Sequence, residues 1–229
     1  MRTWVKICGL STPETVDAAV AAGADAVGFV FASGSPRTVD AATARGLRVR
    51  VPDGVETVGV FRGQSRDDVL DLARASGVST VQLHGDESPD DVAGVRDAGF
   101  RVVRAVSASR YATESEEARA AFGEDDLLLD AVDPGAGAVF DVSPLLASPP
   151  AREWLLAGGL TPDNVGGLLA SLRPVGAVGV DVSSGVESTR GVKDARLIAE
   201  FVAAARAAEP GQVAARADVG GICAAREAG

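Results

Sequence analysis

Residues 3–31 read TWVKICGLSTPETVDAAVAAGADAVGFVF, and this stretch decides the fold. Its two ends, 3–8 and 26–31, are short runs rich in β-branched residues. Between them lies an Ala-rich segment whose apolar positions recur at helical spacing. Thr12 can cap that helix, Pro13 suits its first turn, and Gly23 supplies the stop. A strand, a helix and a second strand in immediate succession form one βαβ unit.

The unit recurs along the chain. Further strands are predicted over 57–61, 80–83, 101–106, 127–130, 153–157 and 177–182. Helices are predicted over 12–22, 40–49, 65–75, 88–98, 112–122, 162–171 and 193–207. The slot after the sixth strand, up to about residue 148, carries only a weak helical signal. The strands are Val-, Ile- and Leu-rich and lack strict polar alternation, as expected when both faces are buried. Eight such units match a small (β/α)8 TIM barrel. An open doubly wound sheet is the alternative, and the count of eight disfavours it. The barrel is assigned to 1–208, and 209–229, rich in Ala, Gly and charge, to a weakly ordered C-terminal tail.

Composition bounds the function. Of 229 residues, 46% are apolar and 24% charged, and no run of 18 apolar residues could form a membrane span. The N-terminus lacks the apolar core of a secretory signal, so a cytoplasmic protein is expected. Cys8 and Cys223 are too few for a disulfide framework and lack metal-ligand spacing. The net charge of −10 argues against nucleic acid as a partner. Only Lys6 and Lys193 are lysines, against 20 arginines. Adaptation to high salt and GC-rich coding bias both account for this balance.

In a barrel, chemistry sits at the C-terminal ends of the strands. Strand one offers Lys6 and Cys8, and strand two Ser33, Ser35 and Arg37. Arg62 follows strand three; Gln82, His84 and Asp86 follow strand four; Arg104 and Ser107 belong to strand five. Asp130 and Asp133 follow strand six, and Asp181, Ser183 and Ser184 strand eight. Two Gly-rich turns, at Gly158-Gly159 and Ser183-Ser184-Gly185, occupy the loops that often cradle phosphate in barrels. They could also be simple tight turns. Cys8 beside Lys6 could be partly thiolate and act as a base, or it could be packing. Asp130, after three leucines, could be a desolvated general acid or a turn cap. Asp181 has the same two readings. Arg37, held after Pro36, could clamp a carboxylate or be a solvated charge. His84 is the only histidine and could touch substrate or satisfy a buried hydrogen bond. No Walker loop is present, and no GxGxxG follows strand one.

The segments Val5-Lys6-Ile7-Cys8-Gly9-Leu10, Ser35-Pro36-Arg37, Val81-Gln82-Leu83-His84-Gly85-Asp86, Leu128-Leu129-Asp130, Phe140-Asp141, Ala157-Gly158-Gly159-Leu160 and Val180-Asp181-Val182-Ser183-Ser184-Gly185-Val186-Glu187 recur in order from residue 5 to about 194. Together they resemble the phosphoribosylanthranilate isomerases of tryptophan biosynthesis. The resemblance implies Cys8 as general base, Asp130 as general acid and Arg37 on the anthranilate carboxylate. It implies phosphate binding at Gly158, Gly159, Ser183, Ser184 and Gly185. Lys6, Gln82, His84 and Asp181, at the neighbouring strand ends, are expected as substrate contacts. No cofactor or metal is implied. The expected partner is the phosphorylated sugar–anthranilate alone, with no nucleic acid and no membrane, bound by a monomer or homodimer.

One departure stands out. The family usually carries a Gly-Gly-Thr-Gly-Lys-like loop after the acid, and this chain has Asp133-Pro134-Gly135-Ala136-Gly137-Ala138-Val139. A barrel that has lost catalysis could look like this, but Cys8, Arg37 and Asp130 together count against decay. An indole-glycerol-phosphate synthase would be expected to carry a catalytic lysine where Cys8 stands. The bifunctional isomerase of histidine biosynthesis uses two aspartates.

Overall fold

The computed structural model describes residues 2–130 and 143–208. The departing loop with Asp133, the Phe140-Asp141 pair, and the tail 209–229 with Cys223 lie outside the described residues. The strands are β1 (Trp4–Cys8), β2 (Ala26–Val30), β3 (Glu56–Phe61), β4 (Thr80–Leu83), β5 (Arg101–Ser107), β6 (Asp126–Asp130), β7 (Trp154–Ala157) and β8 (Ala177–Val182). They close into one parallel barrel in sequence order. Closure is made by β1 on β8, where Trp4 faces Gly179 and Lys6 faces Asp181. The open-sheet alternative is therefore excluded.

Helices α1 (Pro13–Ala21), α2 (Ala41–Arg48), α3 (Arg66–Ser76) and α4 (Pro89–Asp97) follow the first four strands. Each starts on a side-chain cap, from Thr12, Asp40, Ser65 and Ser88. Each such cap contributes about 1 kcal/mol. The helix expected over 112–122 is instead two, α5 (Ala108–Thr113) and α6 (Glu116–Phe122). Ser107 and Ser115 each cap a new start, and Glu114 between the helices is extended. A short α7 (Ser143–Ala147) fills part of the weak slot after β6. Helix α8 (Val165–Leu172) starts three residues later than expected. The last helix, α9 (Ala195–Ala207), starts two residues later than expected. Before it come a 3-10 turn, Ser184–Val186, and a hairpin of β9 (Glu187–Thr189) and β10 (Val192–Lys193).

Side chains alternate across each strand. Val5 and Ile7 of β1 join the large core between barrel and helices. The opposite parity fills the barrel interior. Cys8, Ala26, Val30, Val58 and Val60 form one inner cluster. Val103, Ala105, Leu128, Leu155 and Ala157 form the other, and Trp4 packs on both. Burying a side chain of Val or Leu size contributes about 1.5–3 kcal/mol. The interior is thus a packed plug, and its inward polar residues reach a cavity at the C-terminal rim.

Candidate active site

The inward parity of β1, β4, β6 and β8 delivers polar groups to that rim. A cavity of about 570 Å3 is lined by Cys8, Arg37, Gln82, His84, Asp130, Gly158, Gly159, Asp181, Ser183, Ser184 and Gly185, among others. A neighbouring cavity of about 710 Å3 shares Arg62, His84 and Asp130 with it and extends over β3 to β5.

Lys6 is not part of this wall. It sits two residues before the end of β1 and therefore one layer deeper than Cys8. Its side chain is 1% exposed, and its Nζ donates to Asp181 Oδ2 and to Gln82 Oε1, both at 2.8 Å. Expected among the substrate contacts, it thus lies one layer beneath the lining residues. Burial pushes the Lys6 ammonium down, but Asp181 beside it prevails and raises it, so Lys6 stays charged. A buried pair of this kind is costly to break, because either partner alone would be an uncompensated charge. Asp181 Oδ1 is buried without a hydrogen-bond partner among the described residues.

Cys8 is 6% exposed. Burial pushes its thiol up from the ordinary value; Lys6 pulls it down, Asp181 pushes it up again and Lys193 pulls it down. Burial prevails, so the thiolate expected from Lys6 is not favoured. The charge of Lys6 is already matched by Asp181. Gly28 on β2 makes room for both side chains. A Cβ there would lie 3.0 Å from Cys8 Sγ and 3.2 Å from Lys6 Cε.

Asp130 ends β6 and lines the same cavity. His84 Nε2 lies 3.8 Å from its Oδ2. Burial lowers the His84 pKa, with Asp130 opposing, and leaves the ring predominantly neutral.

At one flank of the cavity, the loops after β7 and β8 abut. Gly158 and Gly159 have φ of +87° and +59°, which only glycine adopts without strain. Asn164 braces the β7 turn, accepting from Thr161 N at 2.8 Å and donating to Gly159 O at 2.9 Å. A side chain at Gly185 would drive into the Leu160 carbonyl.

Beside the β8 loop, Arg37 is not a solvated charge, one of the two readings of its loop position. Its Nε and Nη2 donate to Glu187 Oε1 and Oε2 at 2.5 and 2.9 Å. Lys193 Nζ donates to Glu187 Oε1 at 2.9 Å, to Ser183 O at 2.8 Å and to Ser183 Oγ at 3.2 Å. Burial pushes Glu187 up, but hydrogen bonds from Arg37, Gly191 N–H and Lys193 outweigh it and hold the carboxyl at about 2. Sequence reasoning gave Glu187 and Lys193 no task. The available signals were the place of Glu187 in the segment Ser183–Glu187 and the scarcity of lysine in this Arg-rich chain. Arg104, counted among the strand ends, belongs to the outward parity. It pairs with Glu114, stacks 3.5 Å above the Phe122 ring and does not line the cavity.

Comparison with known proteins gives a consistent picture. The family model described as N-(5'phosphoribosyl)anthranilate (PRA) isomerase matches residues 5–204. The N-(5'-phosphoribosyl)anthranilate isomerase of Chromohalobacter salexigens is 44% identical over 205 residues, covering 88% of this chain and 93% of that protein. The crystal structure of TrpF from Jonesia denitrificans is 45% identical with a TM-score of 0.79, covering 90% of this chain and 98% of that one. A phosphoribosyl anthranilate isomerase crystallised with reduced 1-(o-carboxyphenylamino)-1-deoxyribulose 5-phosphate is 35% identical with a TM-score of 0.73. That match covers 89% of this chain and 98% of the other.

Proposed function

The chain belongs to the N-(5'-phosphoribosyl)anthranilate isomerase family, and from that membership we infer how its barrel rim performs the reaction. The enzyme converts N-(5-phospho-β-D-ribosyl)anthranilate into 1-(2-carboxyphenylamino)-1-deoxy-D-ribulose 5-phosphate, an aldose–ketose isomerisation of tryptophan biosynthesis. This is an Amadori rearrangement. C1′ is reduced and C2′ oxidised within one molecule, so its electrons balance without a redox cofactor.

Asp130, protonated, donates to the ring oxygen as the C1′–O bond breaks, and the nitrogen lone pair closes a Schiff-base cation. Cys8 then removes the C2′ proton to give an enolamine, which tautomerises to the ketose. Burial by itself makes the thiol a poor base. A cationic intermediate beside it favours the thiolate, so the base is activated when it is needed. Arg37 takes the anthranilate carboxylate. The paired loops at Gly158, Gly159, Ser183, Ser184 and Gly185 take the phosphate through backbone N–H groups. Gripping both ends of the substrate supplies orientation at the reacting middle. Asp181, Gln82 and His84 contact the ligand between these grips, and Lys6 acts from beneath through Asp181 and Cys8.

One observation carries the assignment. Cys8 and Asp130 share a single cavity with a Gly-rich double loop and an arginine. We further propose that residues 1–208 are the catalytic unit, acting in the cytoplasm as a monomer or homodimer. The small phosphorylated substrate is its only partner, with neither nucleic acid nor membrane. The test follows anthranilate fluorescence with substrate generated in place. Loss of substrate above the spontaneous rate, abolished by Cys8→Ala and by Asp130→Asn, is expected. Full activity in either variant overturns that residue's role.

A further inference from the structure

The side chain of Glu187 is 4% exposed and saturated with donors. Its Oε1 accepts from Arg37 Nε and Lys193 Nζ, and its Oε2 from Arg37 Nη2 and Gly191 N. We propose that Glu187, anchored by Lys193, is a positioning residue that aims Arg37 at the carboxylate of the substrate. This inference rests on Arg37 being the carboxylate contact.

A guanidinium offers two bidentate edges to an oxyanion, one through Nε and Nη2 and one through Nη1 and Nη2. Glu187 occupies the first. Arg37 lines the cavity, so the second edge is the one a ligand can use. The rest of Arg37 is boxed in as well. A Cβ at Gly9 would lie 2.6 Å from Arg37 Cδ, so the stem of the arginine lies directly on that glycine. Gly191 of the hairpin turn packs on Pro36, where a Cβ would lie 3.1 Å from Pro36 Cβ.

Charge completes the case. Glu187 with Arg37 alone would be neutral and would hold no net attraction for an anion. Lys193 adds the second cation; burial pushes its ammonium down and Glu187 opposes, and with Lys193 protonated the trio keeps one positive charge. Lys193 also holds Ser183, which ties the arginine clamp to the phosphate loop. The two ends of the substrate are thereby registered through one buried lysine.

Two ligands separate aiming from general support: the reduced product analogue and its counterpart lacking the ring carboxylate. Dissociation constants are measured by calorimetry for the wild type, Arg37→Met, Glu187→Gln and Glu187→Asp, with thermal melts to verify folding. Glu187→Gln is expected to weaken the carboxylated ligand by about tenfold, as loss of a bidentate charged clamp does. The carboxylate-free ligand should change by less than about twofold, and KM should rise more than kcat falls. Glu187→Asp keeps the charge but withdraws it by one methylene, so it should lose the same selectivity. It also carries the test if Glu187→Gln does not fold. Tighter binding of the carboxylated ligand by Glu187→Gln would mean that Glu187 only neutralises Arg37, and would overturn the inference. Equal weakening of both ligands would reduce it to structural support and overturn it too. Arg37→Met separates the premise from the inference. If that variant does not discriminate between the ligands, the carboxylate assignment falls and takes the Glu187 role with it. If it does and the Glu187 variants do not, the Glu187 role alone falls.

Discussion

In the proposed reaction Cys8 has to lose a proton in a place where burial keeps that proton on. The sign of the pH dependence follows. The active base is the thiolate, and burial holds the thiol above its ordinary value. An ordinary cysteine titrates near about 8.5, so kcat/KM should climb by up to about tenfold per pH unit through neutrality. It should level off only above that ordinary value. Stopped-flow fluorescence across the range measures the limb. A profile flat from about pH 6 to 9 would mean that Cys8 is already ionised before substrate arrives and that the lysines outweigh burial. That Cys8 lines the cavity was legible in the sequence, because it closes a short strand ahead of a glycine. Its protonation was not, because it depends on how Lys6 is shared with an aspartate 175 residues away.

The loops after β7 and β8 behave as one element. Each is a Gly-rich turn whose conformation is set locally, yet Gly185 has no room for a side chain because Leu160 of the other loop lies against it. Gly185→Ala should therefore part the two loops. We expect it to weaken competitive inhibition by inorganic phosphate by about tenfold, since overpacking of this kind costs about 1–3 kcal/mol. An unchanged inhibition constant would remove the phosphate from this pair of loops. The helices teach the same lesson in a smaller way. Caps at Thr12, Asp40, Ser65 and Ser88 are visible as residue types and mark their helices well. Ser115 is equally visible, but helical spacing runs through it, and the break between α5 and α6 was missed. The β9–β10 hairpin was missed because two three-residue-scale strands leave no periodic signal.

At the scale of the whole molecule, a net charge of −10 repels itself in dilute buffer. Salt shortens the screening length from about 30 Å at 0.01 M to about 3 Å at 1 M. If the acidity is an adaptation to salt, the melting temperature should rise steadily over that range in a calorimetric series. A melting temperature indifferent to salt would favour the coding-bias explanation. Alternating strand and helix signals, cap residues and glycine stops are short-range properties, and they were enough to specify eight βα units by themselves. The order of polar residues at the strand ends was likewise written in the chain, because strand ends are where the local pattern stops. Only the closed barrel decided which of those residues meet. Strand parity turned Arg104 outward onto Phe122, and the layering of the barrel placed Lys6 one level beneath Cys8. Closure brought Glu187 to Arg37 across 150 residues of chain, and burial then set the protonation of Cys8. Propensity acts over a few residues, whereas ion pairing and desolvation depend on which distant groups share a volume. That volume exists only once β1 has paired with β8.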